Sequence, residues 1–284
     1  MKEDVTKRYS LEFALDLPIG IDGIVIYPIL LKDMMAYYTA CSVIKFEKAQ
    51  VDVKYIKMSY YSFLCHYITS LAHSSIEEDR LKSNNLIVLF SSLFSLAMRK
   101  EILASFLYKE ETKEAEIKLY ELDIEKLDGN KNPYEQAKNT YILTKERFED
   151  IRNILIKQND IHYIDYNNYS RDMQELIKNE EKRRAGKSNM TLEDKIDSVI
   201  AATGWTTEDV GKLTIRRFDR IFERVRKKLE YQIYKTGAMS GLVSFKDKSV
   251  LEPWTTSLSF DPLKDIISDY GEVMDSMKHG MGRV

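Results

Sequence analysis

Hydrophobic and polar residues follow a helical pattern over most of this chain. Apolar side chains recur at intervals of three and four residues in Lys32–Ile44, in Lys145–Asn159 and in the long stretch that follows Thr214. In that last stretch the apolar positions are Ile215, Phe218, Ile221, Phe222, Val225, Leu229 and Ile233. This spacing places them on one face of an α-helix, so we expect a buried stripe along the whole of it.

Two further helices are predicted in the N-terminal half. Ser59 is a suitable N-terminal cap for Tyr60–Ala72. Asn84–Tyr108 is apolar on nearly all sides at its start, as expected of a helix at the centre of a core. Its apolar run Leu86–Met98 is shorter than the roughly 20 residues that a bilayer requires. We therefore expect a core helix and no membrane contact.

Short strands are predicted where apolar residues alternate or end at a turn. The candidates are Ile24–Tyr27, Val51–Met58, Ala115–Leu122 and Thr140–Leu143. The first follows a glycine-containing turn and ends at Pro28, whereas the second alternates only weakly. The fold class is therefore mainly α with a small β element (α+β), with a helical N-terminal body and a helical C-terminal module.

Helix boundaries are clearest in the last third of the chain. Thr191 and Asp194 have the spacing of a capping box, and Gly204 is placed to end the same helix. A short helix is predicted over Thr206–Lys212, after which Thr214 caps the long one. Asp261 followed by proline predicts the start of a final amphipathic helix. Its apolar stripe comprises Leu263, Ile266, Ile267, Tyr270, Val273, Met274 and Met277.

The helical pattern and the composition shifts predict three regions. Residues 1–128 form an N-terminal α+β domain, residues 129–187 a connecting helical region and linker, and residues 188–284 a C-terminal helical interaction module. The linker is placed at Gly186–Asn189, because this stretch is polar and follows an exposed, charged helix.

Composition adds few constraints on function. The net charge of −2 over 284 residues gives no overall field for nucleic acid or anionic lipid. The two cysteines, Cys41 and Cys65, lie in apolar helical segments and are too few for a disulfide framework. We expect buried, inert thiols in a reducing cytoplasm.

Motifs for catalysis or metal binding are incomplete. The string Ala185–Ser188 (AGKS) resembles part of a phosphate-binding loop, but Glu181 stands where that loop needs its first glycine. His66 and His73 share a helix face, yet their spacing matches no zinc signature. Packed or surface histidines are the favoured interpretation. We therefore predict a protein that is not an enzyme and that needs no metal and no cofactor.

The long helix carries a line of basic residues. Thr214–Lys235 contains eight basic and three acidic residues. Four of the basic residues fall at helical spacing on one face, namely Arg217, Arg220, Arg224 and Lys228. Such a face suits an acidic partner protein or an acidic element of the chain itself, for example Glu110–Glu116 or Glu121–Asp128.

A nucleic-acid interface is the competing interpretation of this region. Ile200–Ile215 (IAATGWTTEDVGKLTI) partly matches a helix-turn-helix. Glu208 and Asp209, however, lie where a reading helix would approach phosphates. Protein contact is favoured, and a helix-turn-helix-like regulator remains the alternative. The predicted partner-binding residues are Arg217, Arg220, Arg224 and Lys228, together with Leu263, Ile267, Tyr270 and Met274 of the final helix.

Three stretches carry a resemblance to a known group of proteins. They are Tyr141–Asn159 (YILTKERFEDIRNILIKQN), Thr191–Val225, which begins TLEDKIDSVIAATGW, and Tyr231–Trp254 (YQIYKTGAMSGLVSFKDKSVLEPW). Together they resemble uncharacterised proteins encoded in the tail gene clusters of contractile- and long-tailed phages of Gram-positive bacteria. The opening IVIYPILLKDMMAYYTA, followed by YIKMSYYSFL, is similar in layout to small baseplate-hub assembly proteins.

This resemblance implies a setting and no active-site residues. It implies a phage tail or baseplate structural component, or an assembly factor, whose partners are other tail or baseplate proteins. Copies of the chain itself are an additional option. The location implied is the host cytoplasm during assembly, or the virion tail.

Overall fold

The computed structural model describes residues 5–160, 162–185, 190–241 and 251–258. Two compact units divide the chain: Met1–Tyr163 with Gly211–Phe218, and Ile164–Val210 with Asp219–Val284. The predicted connecting region 129–187 is thus shared between the units. Its strand Asn139–Leu143 and helix Lys145–Asn159 lie in the first unit because they pack on the first unit's sheet and core. The predicted linker Gly186–Asn189 lies outside the described residues.

Most of the described elements are helices, which confirms the predicted fold class of mainly α with a small β element. The helices of the first unit are α1 Val5–Arg8, α2 Ser10–Leu15, α3 Met34–Cys41, α4 Lys48–Val51, α5 Tyr60–Ala72, α6 Glu77–Met98 and α7 Lys145–Asn159. Its strands are β1 Ile19–Ile21, β2 Ile24–Ile26, β3 Glu101–Lys109, β4 Glu114–Leu122 and β5 Asn139–Leu143. Four helices follow, α8 Arg171–Ala185, α9 Leu192–Thr203, α10 Thr207–Gly211 and α11 Ile215–Met239.

The first sheet is a two-stranded hairpin near the start of the chain. β1 pairs antiparallel with β2, and Ile19 lies opposite Ile26. The connecting residues Asp22 and Gly23 have φ of 45° and 86°. The two-residue type I′ turn, whose twist matches that of the strands, requires positive φ at both central residues. The sequence Asp-Gly is favoured at these positions.

The second sheet corrects one prediction. We expected a helix from Asn84 to Tyr108, but α6 ends at Met98 and Arg99 adopts a left-handed conformation with φ 54°. β3 then pairs with β4 over nine residue positions, from Glu101–Leu122 to Lys109–Glu114. The apolar stretch after Met98 is compatible with a helix or a strand, and pairing with a distant strand decides between them. The sheet order is β3-β4-β5, all antiparallel.

The predicted strand Val51–Met58 is also wrong. This stretch contains the end of α4 and a 3₁₀ turn over Val53–Tyr55. The Asp52 side chain accepts a hydrogen bond from the backbone N–H of Lys54, which stabilises the turn. Local side-chain capping therefore outweighs the weak alternation of apolar residues.

Helix α6 covers the free edge of β3. The hydroxyl of Ser91 accepts from the N–H of Ala104, and the hydroxyl of Ser95 accepts from the N–H of Ile102, both at 2.9 Å. Unpaired N–H groups on an edge strand are a site for unwanted strand pairing. Ser91 and Ser95 satisfy the edge N–H groups of Ala104 and Ile102, so these groups cannot pair with another strand.

The core of the first unit is built from aromatic rings on α5, α6 and α7. The Phe90 ring lies 4.7 Å from that of Phe94, 4.9 Å from that of Phe106 and 6.3 Å from that of Phe148, centroid to centroid. Helix α6 is long and apolar enough to cross a membrane by length and composition alone. Its side chains Phe90 and Phe94 are fully buried in the protein core.

Tyr61 joins α5 to the three-stranded sheet. Its hydroxyl donates to the carbonyl oxygen of Leu143 at 2.8 Å and accepts from the N–H of Ile117 at 3.3 Å. Burial raises the pKa of Tyr61 to about 12. Burial likewise raises the pKa of the Cys65 thiol to about 12. Both cysteines are buried and unpaired, as predicted.

Glu121 provides a measurable link between stability and pH. Its buried carboxylate accepts hydrogen bonds from Lys100, Tyr141 and Asn139 at 2.7–3.0 Å. Burial opposes ionisation, but these donors outweigh it and lower the pKa of Glu121 from 4.5 to about 2.

We expect Glu121→Gln to lower the free energy of unfolding by about 1–3 kcal/mol at neutral pH. Because the folded-state pKa is lowered, this contribution is fully present above pH 4.5 and is lost as the pH falls towards about 2. Urea titrations of both proteins from pH 7 to pH 3 measure it. Glu116→Gln is the control on the same strand, since the Glu116–Lys118 pair is partly exposed. A loss that does not shrink with falling pH would contradict this assignment.

Asn159 binds the segment with which the start of α11 is paired. Its side-chain oxygen accepts from the N–H of Ile29 at 2.8 Å, and its amide donates to the carbonyl oxygen of Leu155. The backbone of residues 29–31 in turn pairs with residues 213–215, through Ile215 N–H to the carbonyl oxygen of Ile29 and Leu31 N–H to that of Leu213. The first turn of α11 therefore belongs to the core of the first unit.

A candidate partner-binding surface

Local hydrogen bonds cap the N-terminus of α9 in the second unit. The Thr191 hydroxyl accepts from the N–H of Asp194 at 3.1 Å, and the Asp194 carboxylate accepts from the N–H of Thr191 at 2.7 Å. The predicted capping box is therefore confirmed. Gly204 ends α9 with φ 75°, a conformation that favours glycine.

A second capping box precedes α10. Thr206 and Asp209 exchange the same pair of hydrogen bonds, at 3.1 and 3.2 Å. The Thr-x-x-Asp spacing is visible in the sequence and was missed. It fixes a carboxylate at the N-terminus of α10, beside Glu208. Two carboxylates there would repel a phosphate backbone.

Arg217, the first residue of the predicted basic line, is bound inside the first unit. Its guanidinium donates to Asp16 at 2.8 Å and to the carbonyl oxygen of Ala14 at 2.7 Å. The sequence favours an acidic partner protein or an acidic element of the chain itself, for which Glu110–Glu116 and Glu121–Asp128 are examples. Asp16 provides this element instead.

We expect Arg217→Glu to lower the free energy of unfolding by about 1–2 kcal/mol, because it sets two carboxylates against each other and leaves the Ala14 carbonyl without this donor. The matched control is Arg220→Glu, one helical turn further on. Arg220 has no hydrogen bond or ion pair in the part of the chain that the structure describes. Thermal melting of the isolated variants measures the difference. Equal melting temperatures would show that the Asp16 contact is energetically unimportant.

Arg224 and Lys228 of the basic line, together with Lys227, contact a segment that returns along α11. One nitrogen of Arg224 donates to the carbonyl oxygens of Trp254 and Thr256 at 2.7 and 2.6 Å. Lys227 donates to the carbonyl oxygen of Ser257 at 3.3 Å. Lys228 lies 5.9 Å from the centroid of the Trp254 ring. A charged donor on a carbonyl oxygen is a strong hydrogen bond, so residues 254–257 are held against α11.

Large apolar side chains remain exposed on this unit. The chain has two tryptophans, Trp205 and Trp254, and they are 39% and 37% exposed. The predicted buried stripe of α11 includes Ile215, Phe218 and Phe222, but Leu229 and Ile233 are 54% and 68% exposed. The described residues therefore bury only the first half of the predicted stripe. Exposed tryptophan side chains are enriched at protein interfaces.

The second half of the predicted site cannot be placed. Leu263, Ile267, Tyr270 and Met274 lie outside the described residues, so their partner-binding role stays a prediction. Of the phosphate-loop-like string AGKS, only Ala185 is described, as the last residue of α8.

His66 has a packing role in the first unit. The Nδ1 atom of His66 lies 3.0 Å from the hydroxyl of Tyr55, and its Nε2 atom contacts Glu110. Tyr55 itself is buried. Within residues 5–160, 162–185, 190–241 and 251–258, no three His, Cys, Asp or Glu side chains converge as a metal site would require.

A surface pocket of about 690 Å³ lies in the first unit, between residues 28–33 and residues 95–101. Its charged lining residues are Lys32, Asp33, Arg99, Lys100 and Glu101. Lys100 is paired with Glu121, and Arg99 lies over the Tyr27 ring at 4.4 Å. Two of the three cations of the pocket thus contact neighbouring side chains, which makes the pocket a weaker candidate than the exposed surface of the second unit.

A family model matches the part of the chain that contains α9, α10 and α11. Residues 180–259 match the family model of the second domain of YomV, a Bacillus phage-region protein. The match includes α9, α10, α11 and both tryptophans, and it covers less than a third of the chain. It supports a phage-associated protein. No curated protein and no solved structure matches the chain.

Proposed function

We propose that this chain is a structural component of a phage tail or baseplate, or a factor for its assembly, and that it acts through protein–protein contacts and not as an enzyme. The observation that carries the proposal is the exposure of both tryptophans within the region that matches a phage-associated domain. Tryptophan is rare on monomer surfaces and is enriched among residues that dominate binding energy.

The charges on α11 indicate the chemistry of the partner. Lys228 lies over the Trp254 ring. Arg220, on the same helix, has no hydrogen bond or ion pair among the residues described. Cations that flank an apolar anchor suit a partner with a complementary acidic rim. We therefore propose a tail or baseplate protein whose contact surface combines an apolar pocket with Asp or Glu side chains.

We expect Trp205→Ala with Trp254→Ala to weaken this binding by about thirtyfold or more, since truncation of even one tryptophan that dominates an interface costs about 2 kcal/mol or more. The measurement is co-purification of tagged protein with tail proteins from infected cells, followed by mass spectrometry. The control is Met35→Ala, because Met35 is 70% exposed but lies on α3 of the first unit. Mass spectrometry of purified particles then separates a component from an assembly factor. Unchanged recovery of tail proteins with the double variant would refute this surface.

A helix-turn-helix-like regulator is the second candidate, since α9, α10 and α11 follow each other through short turns. Two observations weigh against it. Arg217 and Arg224 are engaged within the chain, and α10 begins with two carboxylates. We expect only weak DNA binding that declines steeply with salt. A sequence-specific complex that survives about 0.2 M salt would favour the regulator instead.

A further inference from the structure

The far half of α11 presents an apolar line that the described residues leave open. Val225, Leu229 and Ile233 are spaced by four residues, so they lie on one face of the helix. Val225 is half-buried, whereas Leu229 and Ile233 are 54% and 68% exposed. We call these three residues the α11 line.

We propose that the α11 line is the docking surface for the chain's own C-terminal segment, Asp261–Met277, bound as an amphipathic helix. The proposal does not depend on the function proposed above, because it concerns a contact within one chain. It assigns Leu263, Ile267, Tyr270 and Met274 to an internal interface instead of an external one.

The anchored return segment places the C-terminal segment close to the α11 line. Arg224 and Lys227 hold the carbonyl oxygens of Trp254, Thr256 and Ser257. The C-terminal segment starts four residues after Ser257 and therefore starts beside α11, within about two helical turns of Leu229. A tether this short gives an effective concentration in the millimolar range, so even a modest apolar contact would be populated.

The dimensions and pattern of the C-terminal segment fit the surface. Its apolar residues recur at intervals of three and four, and its proline at position 262 suits the first turn of a helix. A helix over Asp261–Met277 would be about 25 Å long, and α11 from Arg224 to Met239 is about 24 Å long. The two helices can therefore pair along most of their lengths.

Charge favours this occupant over a second copy of α11. From Arg224 to Met239, α11 has five basic residues and one acidic residue, and hence a net charge of +4. Asp261–Met277 has five acidic residues and one basic residue, and hence −4. Pairing two copies of α11 would bring +4 against +4, whereas the C-terminal segment brings opposite charge.

The test is the reactivity of a cysteine placed on the α11 line. Ile233→Cys in the full chain adds a thiol that the reagent can reach. The native Cys41 and Cys65 are buried and should react slowly. We expect a maleimide reagent to label Cys at position 233 about tenfold or more faster after Ile267→Asp is added, because that change puts a charge into the apolar stripe. Ser268→Asp is the matched control on the neighbouring polar position and should leave labelling slow. Circular dichroism checks that each variant folds.

Two outcomes would overturn the proposal. One is fast labelling at position 233 that is the same with and without Ile267→Asp. The other is protection that rises with protein concentration, since a contact within one chain is independent of concentration; that result would assign the α11 line to a second copy. Slow labelling at every concentration, released by Ile267→Asp and not by Ser268→Asp, supports docking of the C-terminal segment.

Discussion

Phe90→Ala is expected to lower the free energy of unfolding by about 3–5 kcal/mol. Phe90 is fully buried, and its ring meets the rings of Phe94, Phe106 and Phe148. These contacts join α6 to the sheet and to α7. Truncation removes the apolar contacts and leaves a cavity that aromatic neighbours fill poorly, because close-packed rings cannot shift independently. Urea unfolding followed by circular dichroism measures the change.

Val88→Ala is the control for Phe90→Ala. Val88 lies on the same helix and is 60% exposed, so its truncation should change the free energy of unfolding by less than about 0.5 kcal/mol. A loss below about 1 kcal/mol for Phe90→Ala would mean that α6 is not central to the core. The apolar composition of α6 would then need an explanation other than burial in the core.

Asn159→Ala is expected to lower the free energy of unfolding by about 2–3 kcal/mol. The substitution leaves the buried N–H of Ile29 without its acceptor. It also removes the restraint on residues 29–31, to which the first turn of α11 is paired. We therefore expect faster hydrogen exchange at the amide of Ile215, in addition to the loss seen in denaturant titrations.

The control for Asn159→Ala is Asn153→Ala, on the same helix. Asn153 is half-buried, and alanine has the higher helix propensity, so stability should be unchanged within about 0.5 kcal/mol or slightly increased. If Asn159→Ala lowers stability but leaves exchange at Ile215 unchanged, then the paired backbone at residues 213–215 holds α11 without help from Asn159.

Local chemistry made several features predictable from the sequence. Ser59, Thr191 and Thr214 cap helices as expected, because a cap needs only a side-chain oxygen and an N–H two or three residues away. Gly204 was predictable for the same reason, since a positive φ is a property of one residue.

Features that depend on distant partners were not predictable. Residues 101–109 became a strand because β4 pairs with them along their length. Leu229 and Ile233 continue the apolar period of Phe218 and Phe222, but only the earlier pair is buried. Periodicity shows which residues share a face and does not show what covers that face.

The candidate site shows the same division. The sequence identified α11 as a basic, amphipathic helix, because charge and period are local properties. Only the tertiary structure decided that Arg217 binds Asp16 and that Arg224 binds the carbonyl oxygens of Trp254 and Thr256.

Sequence alone determined the helical class of this protein, both ends of α9, and the start and basic character of α11, because each is set by residues within about one helical turn. Tertiary structure decided where α6 ends, which cations are already paired and which apolar side chains stay exposed. Those outcomes depend on contacts between residues far apart along the chain. A local sequence pattern does not show which distant residues come into contact.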